Sequence, residues 1–190
     1  MSRLSTLWKA DPRKLLGGLG ALMVAAALAV GSGANFNSTS ANPSNVFSAG
    51  TLSQSNSKTN TAILTASKMK PGDTSTGTVD IKNTGDTPGA FSLAKSNLVD
   101  APASPAFSTK LQLVVKDLGD PACTTGCPAP VTKYTGPLGA MSTLTLGTFA
   151  NNEAHRYEFA VTFPDGGANG ADNVYKGATS TLDYTWTAAS

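Results

Sequence analysis

The sequence predicts an all-β domain, two antiparallel sheets packed as a jelly-roll-like sandwich of about eight strands, behind a helical leader. Three observations carry that expectation. Apolar residues in the second half of the chain recur with period two, as in Tyr157, Phe159, Val161 and Phe163, which alternate with Arg156, Glu158, Ala160 and Thr162. Turn chemistry punctuates these runs: Lys70-Pro71-Gly72-Asp73, Asn83-Thr84-Gly85-Asp86, Pro137-Leu138-Gly139 and Pro164-Asp165-Gly166-Gly167. After residue 34 no stretch sustains a helical period; the one short candidate is a turn around Leu93–Val99. Many short strands in one domain close most readily as two packed antiparallel sheets.

The first element is the leader. Leu15–Val30 runs sixteen residues without a charge, follows Arg3, Lys9, Arg13 and Lys14, and ends in Gly31-Ser32-Gly33-Ala34. A basic start, an apolar centre and a small-residue exit form the pattern of a secretory signal peptide, with cleavage expected after Gly33 or Ala34. The run falls short of the ~20 apolar residues that cross a bilayer. An uncleaved signal anchor is the alternative. Residues 1–33 hold four basic groups and one acid, so their removal takes the formal charge from +2 to −1. The basicity therefore belongs to the leader, and no nucleic-acid partner is expected. About 157 residues remain, enough for one domain that buries ~70% of its unfolded surface.

Residues 34–46 are polar and interrupted by Pro43, a candidate arm in which Phe36, and Val46 and Phe47 at its end, are the apolar anchors. The sandwich is expected over residues 47–190. Its strands are predicted at Phe47–Ser53, Thr61–Ala66, Thr74–Lys82, Gly89–Lys95, Phe107–Lys116, Met141–Thr148, His155–Phe163 and Thr179–Thr187. Inward faces follow from the alternation: Val79 and Ile81; Leu111, Leu113 and Val115; Tyr157, Phe159, Val161 and Phe163; Leu182, Tyr184 and Trp186.

Chemistry-bearing residues are few. Cys123 and Cys127 are the only cysteines. In an exported chain this pair is expected to close a small disulfide ring, stabilising by ~2 kcal/mol at most. Half of a zinc site is the alternative, but it needs two more soft ligands, and His155 is the single histidine. No HExxH helix, nucleophile elbow or phosphate loop is present after the leader. No catalytic residue and no cofactor are assigned. Asp165, Asn169, Asp172 and Asn173 cluster in a Gly-rich stretch as candidate oxygen ligands for calcium. The other reading of that stretch is an inter-strand loop, since Gly, Asn and Asp favour turns anyway.

Several stretches together resemble the TasA/camelysin-type secreted proteins. They are Phe47-Ser48-Ala49-Gly50-Thr51-Leu52 behind an export signal, Met69-Lys70-Pro71-Gly72-Asp73, and Gly77-Thr78-Val79-Asp80-Ile81-Lys82-Asn83-Thr84-Gly85. Asp172-Asn173-Val174-Tyr175-Lys176-Gly177 and the final Tyr184-Thr185-Trp186-Thr187-Ala188 continue the similarity, and Asp100–Pro137 is the least recognisable part. The resemblance implies a jelly roll, cleavage by a dedicated signal peptidase, and assembly into extracellular fibres of a biofilm matrix. In fibre-forming members the freed N-terminal segment of one subunit adds a strand to the next. This chain departs from them in the arm, which is poorer in apolar residues and carries Pro43. Some relatives bear a metalloendopeptidase label, for which this chain supplies no evident ligand set.

The resulting expectation is a secreted, non-enzymatic structural subunit, found outside the cell or on its surface. Its partners would be itself, head to tail, and a signal peptidase during export, with membrane contact only through the leader. A monomeric cell-surface module that binds carbohydrate or protein through loops such as Pro164–Asn173 is the second reading. An exported hydrolase is the third.

Overall fold

The computed structural model describes residues 49–168 and 170–190. Eight strands form two open antiparallel sheets, as the sequence predicts. They are β1 (Gln54–Asn56), β2 (Thr74–Asn83), β3 (Gly89–Ala101), β4 (Gln112–Asp117), β5 (Val131–Pro137), β6 (Leu144–Phe149), β7 (Ala154–Thr162) and β8 (Thr179–Ala189). One sheet has the order β1-β2-β7-β4-β5 and the other β6-β3-β8.

The alternating runs behave as their period demands. Val79, Ile81, Leu113, Val115, Tyr157 and Phe159 are all at most 1% exposed and line the inner face of the larger sheet. Phe91 and Leu93 of β3, Phe149 of β6 and Trp186 of β8 meet them from the smaller sheet. Aromatic rings fill the space between: Phe91 stacks on Phe149 at 4.2 Å, and Tyr157 and Trp186 lie 5.2 Å apart. Such side chains each contribute roughly 1.5–3 kcal/mol on burial. On the outer face Arg156 pairs across the ladder with Asp80 through two hydrogen bonds, 2.6 and 2.8 Å.

Several expectations change, among them the start of the strand predicted at Met141–Thr148, which begins at Leu144. Thr61–Ala66 is not a strand. Ile63 and Leu64 pack against the core as part of a long connection, so their hydrophobicity is used without a ladder. That connection approaches β2 so closely that a Cβ on Gly77 would overlap the Ile63 carbonyl oxygen. In Phe47–Ser53 the first two residues lie outside the described chain, and Ala49–Ser53 are not in a strand. Instead the Ser53 carbonyl accepts from Thr84 N–H (2.9 Å) and the Thr51 carbonyl from Asp86 N–H (3.0 Å), so this stretch braces the β2–β3 turn. Phe107–Lys110 is a single helical turn, and only Gln112–Asp117 of that predicted strand is extended. The candidate helical turn at Leu93–Val99 lies inside β3, which keeps its ladder to β8 across a bulge between Ser96 and Val99, with Asn97 at φ 52°.

β5, like the three-residue β1, has no counterpart among the predicted strands. Its residues are exposed or half-buried, and its order comes from the ladder with β4. A strand without an apolar face leaves no period to read.

Candidate functional site

The inward-facing rows of the larger sheet end in polar residues at one end of the sandwich. Continuing the parity of Val79 and Ile81 reaches Asn83; continuing Leu113 and Val115 reaches Asp117; stepping back from Tyr157 reaches His155. Asn83 is fully buried and satisfied, its amide nitrogen donating to the Thr87 and Phe149 carbonyls and its oxygen accepting from Gly85 N–H. Asp117 and His155 meet directly. His155 Nδ1 lies 2.9 and 3.0 Å from the two Asp117 oxygens, and Nε2 lies 3.1 Å from Glu153 Oε1. The imidazole stacks on Phe149 with centroids 4.5 Å apart.

Both ring nitrogens thus face carboxylates, an arrangement satisfied fully only when both carry protons. Burial by itself pushes the imidazole pKa down. The hydrogen bonds and charges of Asp117 and Glu153 outweigh it and hold the group above its ordinary range. Glu153 is held below the usual carboxylate range, first by the Ala150 N–H that donates to its Oε2 (2.5 Å) and then by His155. Lys133 of β5 adds a second cation 3.6 Å from Asp117 while donating to the Leu146 carbonyl of the other sheet. The Tyr157 hydroxyl is buried beside this cluster, and burial, reinforced by the neighbouring Asp117 carboxylate, pushes its pKa far up. A shallow groove of about 370 Å³ borders the histidine, lined by Gly119, Asp120, Pro128, Asn152, Glu153 and Ala154.

Glu153 is legible as a sequence neighbour of His155, whereas Asp117, 38 positions away, is not among the candidate residues above. The signal that could have found it is parity. The row Leu111, Leu113, Val115 continues at Asp117 once it is followed past its last apolar member into a charge. Glu158, the other acid near the histidine in sequence, points to the outer face, 3.9 Å from Lys116.

The remaining candidates separate. Asp172 Oδ1 pairs with Lys110 at 2.9 Å and its Oδ2 accepts from Gly166 N–H at 2.6 Å, while Asp165 accepts from Gly167 N–H at 2.9 Å. The Asp172 carboxylate, held below its usual pKa by the Gly166 N–H and Lys110, straps the β7–β8 connection to the helical turn at Phe107–Lys110. Asn173 opens a short 3-10 turn, Asn173–Tyr175, whose Tyr175 ring packs against Phe107 at 5.7 Å. Asn169 lies outside the described residues. Cys123 and Cys127 are bonded, with Cα atoms 5.8 Å apart, in the β4–β5 loop whose Pro128 borders the groove. Gly33, Ala34, Phe36, Val46 and Phe47, together with the leader and the arm, lie outside the described residues.

Residues 12–94 match the family model of the camelysin metallo-endopeptidases. The TasA/camelysin-type resemblance is borne out over that stretch. No curated protein matches the chain. The family's description implies a metal, and the donor set decides whether one fits. A catalytic zinc takes three protein ligands, and an imidazole ligand must aim a lone pair at the ion. Here both nitrogens of His155 point at carboxylates and both cysteines are spent in a disulfide. The described residues do not fit such a centre.

Proposed function

We propose that this chain is a secreted structural protein, a subunit of extracellular biofilm-matrix or pilus-like fibres in which residues 34–46 of one copy add a strand to the next. The observation that carries the reading is β8. It is eleven residues long and, among the described strands, it is an edge of the smaller sheet whose ladder runs to β3 alone. A long edge strand invites pairing, and proteins that stay monomeric blunt it or cover it. Its outward side chains, Thr179, Thr181, Thr185 and Thr187, are exposed and uncharged, with Asp183 the single acid among them.

The arm suits that edge in length and pattern. Thirteen residues at ~3.3 Å each reach along an eleven-residue strand. Phe36 and Val46 stand an even number of positions apart, so an extended arm presents both on one face, each contributing roughly 1.5–3 kcal/mol on burial. Pro43 has no N–H to give and fits such a strand with its nitrogen turned away from the ladder. Donation of this kind is heterologous and builds an open filament. The family match supports a secreted, biofilm-related role. Electron microscopy of the chain starting at residue 34, beside one lacking residues 34–46, tests the proposal. Filaments from the first and none from the second are expected, and filaments from both overturn it.

A further inference from the structure

The β6–β7 turn and the base of the disulfide loop are separate in sequence; the loop base bonds the Arg156 backbone of β7, and both segments also meet the His155 side chain. Asp117 ends β4 and accepts from Gly119 N–H at 2.9 Å, which shapes the first residues of the loop that leads to Cys123. Glu153 closes the turn from β6 to β7 by accepting the Ala150 N–H. His155 lies between the two carboxylates, and the groove runs between the two loops.

We propose that His155 is a proton-operated latch: as an imidazolium it links the base of the disulfide loop, through Asp117, to the Glu153 side chain of the β6–β7 turn, and on losing a proton it lets that side chain go, while the backbone bonds of the turn to Asn83 stay in place. The direction of release follows from burial. Asp117 is 6% exposed, and Lys133 and the Gly119 N–H also hold it, so the neutral ring keeps its remaining N–H on that side. Nε2 then presents a lone pair to the carboxylate of Glu153, whose side chain is 39% exposed and can turn to water. The other groups near the ring do not take over this role. Tyr157 keeps its proton in this range, Lys133 is engaged by Asp117 and the Leu146 carbonyl, and Arg156 faces outward onto Asp80. Asp120 lines the groove, where a carboxylate favours the same protonated state. The latch is independent of the fibre proposal, since none of its residues belongs to β8.

The sequence contains one histidine, so its ring signals in the untagged full chain are unambiguous. A nitrogen–proton NMR titration from about pH 5 to about pH 9 should find both ring nitrogens protonated at the acid end and a midpoint above the ordinary value of about 6.5. The Ala150 amide should shift with that same midpoint, and Glu153→Gln, a change at an accessible side chain, should lower it. A ring midpoint at or below about 6.5, or an Ala150 amide that stays still while the ring titrates, overturns the latch.

Discussion

Replacing Gly77 with alanine tests how the long β1–β2 connection is held. Gly77 sits within β2, paired with Phe159, and is not among the glycines with positive φ, so its backbone conformation is open to any residue. On propensity alone, alanine in mid-strand stabilises by roughly 0.5–1 kcal/mol relative to glycine. The structure reverses that sign. The new Cβ would overlap the Ile63 carbonyl oxygen and come within 2.8 Å of the Leu64 Cβ, well inside contact distance and largely against backbone. The connection must lift, loosening Ile63 and Leu64 from the core, and overpacking of this kind costs about 1–3 kcal/mol. Denaturant unfolding of the wild type and Gly77→Ala, with amide exchange read at Ile63 and Leu64, is the assay. A variant of equal or greater stability would refute the close approach, and with it the account of why an apolar run at residues 61–66 is not a strand.

Three further outcomes follow from the packing and the charges. Phe149→Ala removes a ring stacked on both Phe91 and His155, and should cost about 3–5 kcal/mol in denaturant unfolding; a loss under about 1 kcal/mol contradicts the aromatic column. His155 is raised, so its stabilisation is complete below about pH 6.5 and fades as pH climbs through its folded value. Glu153 is lowered, so its share is present above its ordinary pKa and fades as pH falls through its folded value. Thermal melts should therefore decline from about pH 6.5 upward in the wild type, and His155→Gln should remove that decline; the same slope in both proteins contradicts the linkage. Asp172→Asn should speed amide exchange at Gly166 with little change in global stability, and unchanged exchange at Gly166 would show that the strap from Lys110 does not order the loop.

The fold is legible wherever one face of a strand is apolar. β2, β4, β7 and β8 announce themselves by period two, because an inward side chain is worth more than local propensity. Legibility fails in two opposite ways. β5 is ordered by backbone pairing with β4 and carries no hydrophobic pattern. Residues 61–66 carry the pattern but spend it on packing against the core and Gly77. The candidate cluster is half visible. Glu153 adjoins His155 in sequence, while Asp117 and Lys133 join it only through the β4–β7 and β4–β5 ladders, which no local pattern announces. The acids of the Gly-rich stretch illustrate the remaining gap. Composition points to oxygen ligands for a cation, and the fold gives Asp172 a lysine and a backbone N–H instead.

Acceptance by β8 of the arm of another copy is the central claim. Its most direct measurement is electron microscopy of the chain starting at residue 34, with and without an excess of a synthetic peptide spanning residues 34–46. Filaments should form from the protein alone and be short or absent once the peptide caps the β8 edges. Filaments of undiminished length in the presence of the peptide would contradict the claim.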